Sequence, residues 1–191
     1  VQQSLGFEKH FQSMSESPDQ TQRILEKMGI ESLNAMQQEA HSAISKLDEV
    51  ALLSPTGTGK TLAFVLPLLQ TLNKEATGVQ LLILVPSREL AIQIEQVIRG
   101  MGSGFKVNAF YGGQSFSKDR EGLKQVPSIL IGTPGRIADH LRRNTFTTSS
   151  ISALVLDEFD KSLEVGFERE MKEILRSLSH LNKKVLTSAS Q

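Results

Sequence analysis

The sequence predicts an α/β domain, a parallel β-sheet with helices on both faces. Three observations predict it. Short apolar runs rich in Val, Ile and Leu alternate along the chain with amphipathic segments. The runs are apolar at successive positions, the pattern of strands buried on both faces. The first run, Val50-Ala51-Leu52-Leu53, also leads through a glycine-bearing turn into an apolar stretch at 63–69. That strand–turn–helix order is the unit from which parallel sheets are built.

The elements follow in order. A helix is predicted over 18–28, with Ser17 as N-cap, Pro18 at the first helical position, Gln20 at the third and Gly29 as a stop. A second, over 35–46, opens Asn34-Ala35-Met36-Gln37, again with the spacing of a capping box. Strand 50–53 precedes a helix at 60–72, where Pro67 removes a backbone donor and predicts a kink. Strand 81–85 is followed by a helix at 88–99, with Ser87 just before it. Strands at 106–111 and 129–131 come next, then a helix at 134–142 behind Thr133 as N-cap and Pro134 at the first position. Strand 154–156, helix 167–178 and strand 184–186 complete the pattern. In such sheets, loops at the carboxyl ends of the strands bind ligands.

The loop after the first strand reads Ser54-Pro55-Thr56-Gly57-Thr58-Gly59-Lys60-Thr61. Glycines let successive backbone N–H groups point at phosphate oxygens, and the helix N-terminus adds donors and a positive dipole end. Thr56, Gly57, Thr58, Gly59, Lys60 and Thr61 are therefore candidate ligands of a nucleoside triphosphate. Lys60 supplies a charge for the β- and γ-phosphates, and the Thr61 hydroxyl is suited to Mg²⁺. Ser54 stands where the pattern has its first glycine. After strand 154–156 come Asp157-Glu158-Phe159-Asp160. An Asp in that position holds Mg²⁺ in nucleotidases of this type, and a neighbouring carboxylate can take a proton from the attacking water. Asp157 is the expected metal ligand beside Thr61. Glu158 is the expected base, and Lys60 and Asp157 act with it in catalysis.

Composition narrows the field. The 191 residues form one domain, or a large part of something longer, able to bury a substantial core. Lys plus Arg and Asp plus Glu both number 21, so no basic field argues for a nucleic-acid partner. There is no cysteine, which excludes disulfides and thiolate metal sites and fits a reducing compartment. No secretory leader and no apolar run approaching about 18 residues is visible, so no membrane partner and a cytoplasmic location are expected. His10, His41, His140 and His180 lack metal-ligand spacing and are expected on the surface or on a helix face.

With these motifs in order, the chain resembles the first RecA-like domain of a DEAD-box RNA helicase over nearly its whole length. Asp157-Glu158-Phe159-Asp160 is similar to the family's Asp-Glu-Ala-Asp, and Pro86-Ser87-Arg88-Glu89-Leu90-Ala91 to its Pro-Thr-Arg-Glu-Leu-Ala. Gly112-Gly113 resembles the family's glycine pair. Thr133-Pro134-Gly135-Arg136 matches unchanged, and Ser188-Ala189-Ser190 stands for Ser-Ala-Thr. The departures are Ser54, Ser87, Phe159 and Ser190.

The resemblance implies an ATP-binding, ATP-hydrolysing core that remodels or unwinds RNA duplexes, with ATP and Mg²⁺ as cofactors. It implies RNA contacts by Ser87, Arg88, Gly112, Gly113, Thr133, Gly135 and Arg136, made to the backbone without reading sequence. Helix N-termini after Ser87 and Thr133 supply phosphate donors in keeping with that. It also implies that Asp160 pairs with Ser188 and, with Ser190, couples the nucleotide site to the interdomain face. The segment at 29–37 is similar to the family's adenine-recognising Q motif, with Gln37 reading the adenine edge and Phe11 as the stacking ring; Phe7 is a second candidate. The family's prolines are Leu33 and Ala35 here. On the residues alone the reading of Gln37 as a helix cap is favoured, and the resemblance reverses that. A guanine-reading Asn-Lys-x-Asp is absent at 73–76 and 182–185.

The expected organisation is one RecA-like domain over 1–191, with 1–37 as the Q-motif flank and 38–191 as the P-loop core. The second RecA-like domain of such helicases, which supplies arginines to the γ-phosphate, lies outside these residues. The chain is thus expected to be a fragment that binds nucleotide but is nearly inactive alone. Two other classes share part of the pattern: a transporter or motor ATPase with the same loop, and a scaffold that keeps the fold without turnover. The first leaves Thr133 to Arg136 unexplained, and intact Lys60, Asp157 and Glu158 oppose the second.

Overall fold

The four residues of β2 (Leu81–Leu84) are all buried, and the domain is arranged around that strand. The computed structural model describes residues 20–189. In it, β1 (Glu49–Leu53), β2, β3 (Val107–Phe110), β4 (Ile129–Gly132), β5 (Ala153–Leu156) and β6 (Lys183–Ser188) form one sheet in the order β1-β6-β5-β2-β4-β3. Every pairing is parallel.

Alternate side chains of the inner strands feed opposite layers, as a period of two requires. Leu81, Ile83, Ile129, Ile131 and Val155 point into a core with Phe64, Ile94 and Ile98. Phe64 lies on α3 (Lys60–Leu69), and Ile94 and Ile98 on α4 (Arg88–Met101). Leu82, Leu84, Leu130 and Leu154 point into the other, with Ile137 and Ile174. These come from α6 (Pro134–Arg142) and α8 (Glu168–Ser177). Burying each such side chain is worth about 1.5–3 kcal/mol. Both faces of β2, β4 and β5 are therefore closed to water, and on these strands polar groups emerge only at the ends.

Every predicted strand forms. β6 runs two residues beyond the predicted end at 186, drawing Thr187 and Ser188 into the sheet. The described part of the first helix is α1 (Gln20–Lys27), and α2 (Ala35–Lys46) has its predicted bounds. Pro67 lies inside α3, which stops at Leu69, short of the predicted 72. Two short helices were not predicted: α5 (Phe116–Leu123) and α7 (Phe159–Glu164). With 8 and 6 residues they are below the length at which a helix persists in water, and packing on the domain sustains them.

His140 lies on α6, in keeping with the helix-face expectation, and its side chain is fully buried. Its ring stacks between Phe110 at 4.8 Å and Phe116 at 4.3 Å. Nε2 lies 2.9 Å from Asp119 Oδ2 and Nδ1 lies 2.7 Å from Thr145 Oγ1. Asp119, only 1 % exposed, also accepts from Arg136 Nε at 2.7 Å and from Gln114 Nε2. A buried carboxylate is tolerable only with such partners. Since Asp119 can only accept, the imidazole proton sits on Nε2, and Nδ1 accepts from Thr145.

Burial lowers the pKa of His140 from its ordinary value, against the pull of Asp119 in the opposite direction. The unfolded chain therefore takes up this proton first as pH falls. The stability His140 contributes is whole above the ordinary value of 6.5 and is lost as pH drops below it toward the folded-state value. Urea denaturation is expected to give a lower midpoint at pH 5.5 than at pH 8. His140→Gln, which keeps an amide donor for Asp119, is expected to shrink that difference; an unchanged difference would contradict the assignment.

Candidate functional site

Sheet order divides the carboxyl edge into two halves. β1, β6 and β5 are neighbours, so the loop after β1 and the acidic residues after β5 flank the end of β6. The ladder carries on into the first polar residues: Ser54 N–H donates to Ser188 O at 3.1 Å, and Asp157 N–H to Leu84 O at 2.9 Å.

In the loop, Gly57 and Gly59 have φ of 81° and 85°. These left-handed values suit glycine. A Cβ on Gly59 would also meet Gln37 Nε2 at 2.4 Å, whereas one on Gly57 would meet open space. The Lys60 ammonium is buried and donates to the carbonyls of Ser54 at 2.5 Å and Pro55 at 2.9 Å. Thr58 Oγ1 donates to Pro55 O at 2.9 Å, so the contact at 2.8 Å is a bond given by the Ser54 hydroxyl. Ser54, the departure from glycine, thereby braces the loop across its base. Thr56 is exposed, and Thr61 lies in the first turn of α3.

Gln37 takes the capping role that its residues allowed, and one that was not foreseen. It completes the capping box of α2: its N–H donates to Asn34 Oδ1 at 2.9 Å, and its Oε1 accepts from Asn34 N–H at 3.0 Å. Its amide also donates to Gly59 O at 3.2 Å, and Asn34 Nδ2 donates to Thr58 O at 3.2 Å. The start of α2 is thus sewn to the loop from the side. Phe11 and Phe7 lie outside the described residues, as does Ser190.

Asp157 is 4 % exposed and its carboxylate accepts from the Thr187 hydroxyl. Burial pushes its pKa up, opposed first by that bond and further by the charge of Lys60. Glu158 follows in a left-handed conformation, φ 49° and ψ 51°, and its Oε2 receives Lys161 Nζ at 3.0 Å. The Glu158 carboxylate raises the pKa of Lys161 in turn. The Phe159 ring packs against the core that holds Ile137, Met171 and Ile174. Asp160 and Ser188 each have an interaction partner. Thr187 was not among the predicted site residues; the signal available was a hydroxyl inside an apolar strand.

The other half of the edge carries the residues expected at RNA. β2, β4 and β3 are neighbours, so Ser87, Thr133 and Gly112-Gly113 emerge side by side. Ser87 caps α4, its hydroxyl accepting from Leu90 N–H at 3.2 Å. Exposed Arg88 lies over the Tyr111 ring at 5.4 Å, beside the glycine pair. Thr133 and Gly135 lie at the start of α6. Arg136 is not a free cation: besides Asp119 it bonds Gln114 O at 3.0 Å and covers the Phe116 ring at 4.9 Å.

Residues 34–191 match the DEAD/DEAH box helicase family. The chain belongs to that family. ATP-dependent RNA helicase DeaD of Escherichia coli K12 is 38% identical to it over 169 residues, 87% of this chain and 27% of the relative. DEAD-box ATP-dependent RNA helicase CshA of Bacillus subtilis is 34% identical over 182 residues, 94% of this chain and 37% of the relative. The chain therefore spans well under half the length of these relatives. The crystal structure of a DEAD box protein from Methanococcus jannaschii superimposes with a TM-score of 0.83 at 31% identity, over 91% of this chain and 48% of that one. The sheet of this DEAD-box domain is accordingly RecA-like.

The loop geometry separates its two left-handed glycines. Gly57→Ala is expected to cost the strain of a left-handed alanine, about 1–2 kcal/mol. Gly59→Ala adds displacement of the Gln37 amide and is expected to cost more. Urea denaturation of both variants checks this; equal losses would remove the Gln37–Gly59 contact from the account.

Proposed function

We propose that this domain is the ATP-binding and ATP-hydrolysing core of an ATP-dependent RNA helicase. The observation that carries the reading is the division of one sheet edge: phosphate loop and paired carboxylates on the β1-β6-β5 side, helix N-termini and a glycine pair on the β2-β4-β3 side. Residues 1–191 form one RecA-like domain, with 1–37 as the flank that frames adenine and 38–191 as the core.

In this reading the loop amides and Lys60 hold the β- and γ-phosphates, once the ammonium exchanges its two carbonyl partners for phosphate oxygens. Gln37 reads the adenine edge and Phe11 stacks on the ring. Thr61 and Asp157 hold Mg²⁺. The donor set suits that ion: among the described residues no cluster of His, Cys, Asp or Glu could cage a metal, and Mg²⁺ is ordinarily held by one or two carboxylates together with substrate phosphates and water. When bound, it neutralises charge on the phosphate oxygens. Glu158 accepts a proton from the water whose oxygen attacks the γ-phosphorus, as the bond to the β–γ bridging oxygen breaks and ADP leaves. Lys161, bonded to Glu158 Oε2, must yield as the water enters.

RNA lies along Ser87, Arg88, Gly112, Gly113, Thr133, Gly135 and Arg136, held at its phosphates by backbone donors. Because Asp119 binds Arg136, the donors at the start of α6 carry that contact and Arg136 holds them in place. Asp160, Ser188 and Ser190 link the nucleotide site to a second RecA-like domain of the same protein. Arginines from that domain complete the site, and a cationic finger of this kind is worth about 10³–10⁵ in rate. The 191 residues alone thus bind nucleotide, turn it over barely, and act in the cytoplasm only as part of the longer protein.

Calorimetric titration of the 191-residue chain is expected to give tighter binding of ADP than of GDP, with the preference eroded in Gln37→Ala. Equal affinities in the unsubstituted chain would leave Gln37 as a cap and loop brace only. In the longer two-domain protein, Glu158→Gln is expected to keep ATP and RNA binding while slowing hydrolysis, and Lys60→Ala to weaken nucleotide binding itself. Normal turnover by Glu158→Gln would exclude Glu158 as the base.

A further inference from the structure

We infer that Thr187 is a positioning residue for Asp157 and Glu158, an inference that rests on the hydrolytic role proposed above for those two residues. Thr187 is wholly buried on β6, in register with Leu52 of β1 and one position beyond the pair Leu156–Leu186. It stands between the strand that leads into the phosphate loop and the strand that leads into the carboxylates. Valine has nearly the same shape and would fill the position without placing a polar group there. A hydroxyl in such a place is costly unless it is bonded. Its hydrogen goes to Asp157 Oδ1, and its oxygen accepts the Glu158 N–H at 3.1 Å.

Both bonds act where the site needs them. A carboxylate that bonds a cation is oriented by its outer partners, and removing such a partner costs about 10–100-fold in metal affinity or activity. Glu158 has the left-handed conformation that non-glycine residues adopt only at a cost of about 1–2 kcal/mol. α7 starts directly after it without a side-chain cap, so the turn is held from outside, by Thr187. One hydroxyl therefore sets the Asp157 rotamer and, through the backbone, the direction in which the Glu158 side chain leaves.

Thr187→Val removes the hydroxyl at nearly constant volume, and Thr187→Ser restores it. The affinity of the 191-residue chain for a non-hydrolysable ATP analogue is measured with Mg²⁺ and with chelator. Thr187→Val is expected to lose about 10–100-fold with Mg²⁺ and little without it. Thr187→Ser is expected to recover most of the loss. An undiminished Mg²⁺-dependent gain in Thr187→Val, no recovery in Thr187→Ser, or equal losses with and without Mg²⁺ would each overturn the inference. If the unsubstituted chain binds the analogue but gains nothing from Mg²⁺, the role of Asp157 falls and the inference with it. Amide hydrogen exchange supplies a measurement without ligand. The Glu158 N–H of the unsubstituted chain is expected to be protected like the sheet interior, and exchange at the rate of an open loop would overturn the anchoring of the turn.

Discussion

The constraint on which the rest depends is the closure of both faces of the inner strands β2, β4 and β5. Leu81, Leu82, Ile83 and Leu84 have helices or neighbouring strands on every side, and nothing polar can leave the sheet laterally without losing water and gaining no partner. Chemistry is confined to the strand ends. Because all pairings are parallel, the six carboxyl ends share one edge, and loops from distant parts of the chain become neighbours there. Thr61 and Asp157 are far apart in sequence, yet only β6 separates the strands that lead to them.

Asp119, Thr187 and Lys60, polar residues that enter the interior, are each bonded there. Asp119 has Gln114, Arg136 and His140 around it. It braces the loop after the glycine pair against α6, whose first turn is a proposed phosphate site. Thr187 gives both bonding functions of its hydroxyl to the acidic turn after β5. Lys60 uses the carbonyls of its own loop, which keeps a buried ammonium supplied with acceptors until a phosphate replaces them. In each case a buried polar group fixes the shape of a loop at the working edge. Departures from the family pattern have the same kind of account: Ser54 braces the phosphate loop, and Phe159 adds a ring to a core.

The α/β class, six strands and most helices were legible in the sequence, because apolar runs and capping residues are local signals. The phosphate loop and the acidic turn were legible for a related reason: their chemistry depends on residue types at fixed spacing within one strand–turn–helix unit. The spacing at 34–37 announced a capping box, and the box forms. α5 and α7 were not legible, since neither has a cap bond or enough length to stand alone.

What the sequence alone determined is therefore the set of elements and the kinds of side chain at each strand end. Tertiary structure decided strand order, and with it the grouping of the motifs into two halves of one edge. It also decided which polar residues are buried. His140 lies on an amphipathic helix whose pattern does not reveal that Phe110 and Phe116 enclose its ring. Arg136 reads as a cation for phosphate until Asp119, 17 positions away, is found bonded to it. Thr187 reads as one more strand residue until β5 is set beside β6. Hydrogen bonds of this kind depend on distances between elements far apart in the chain, and packing of the sheet and its helices sets those distances.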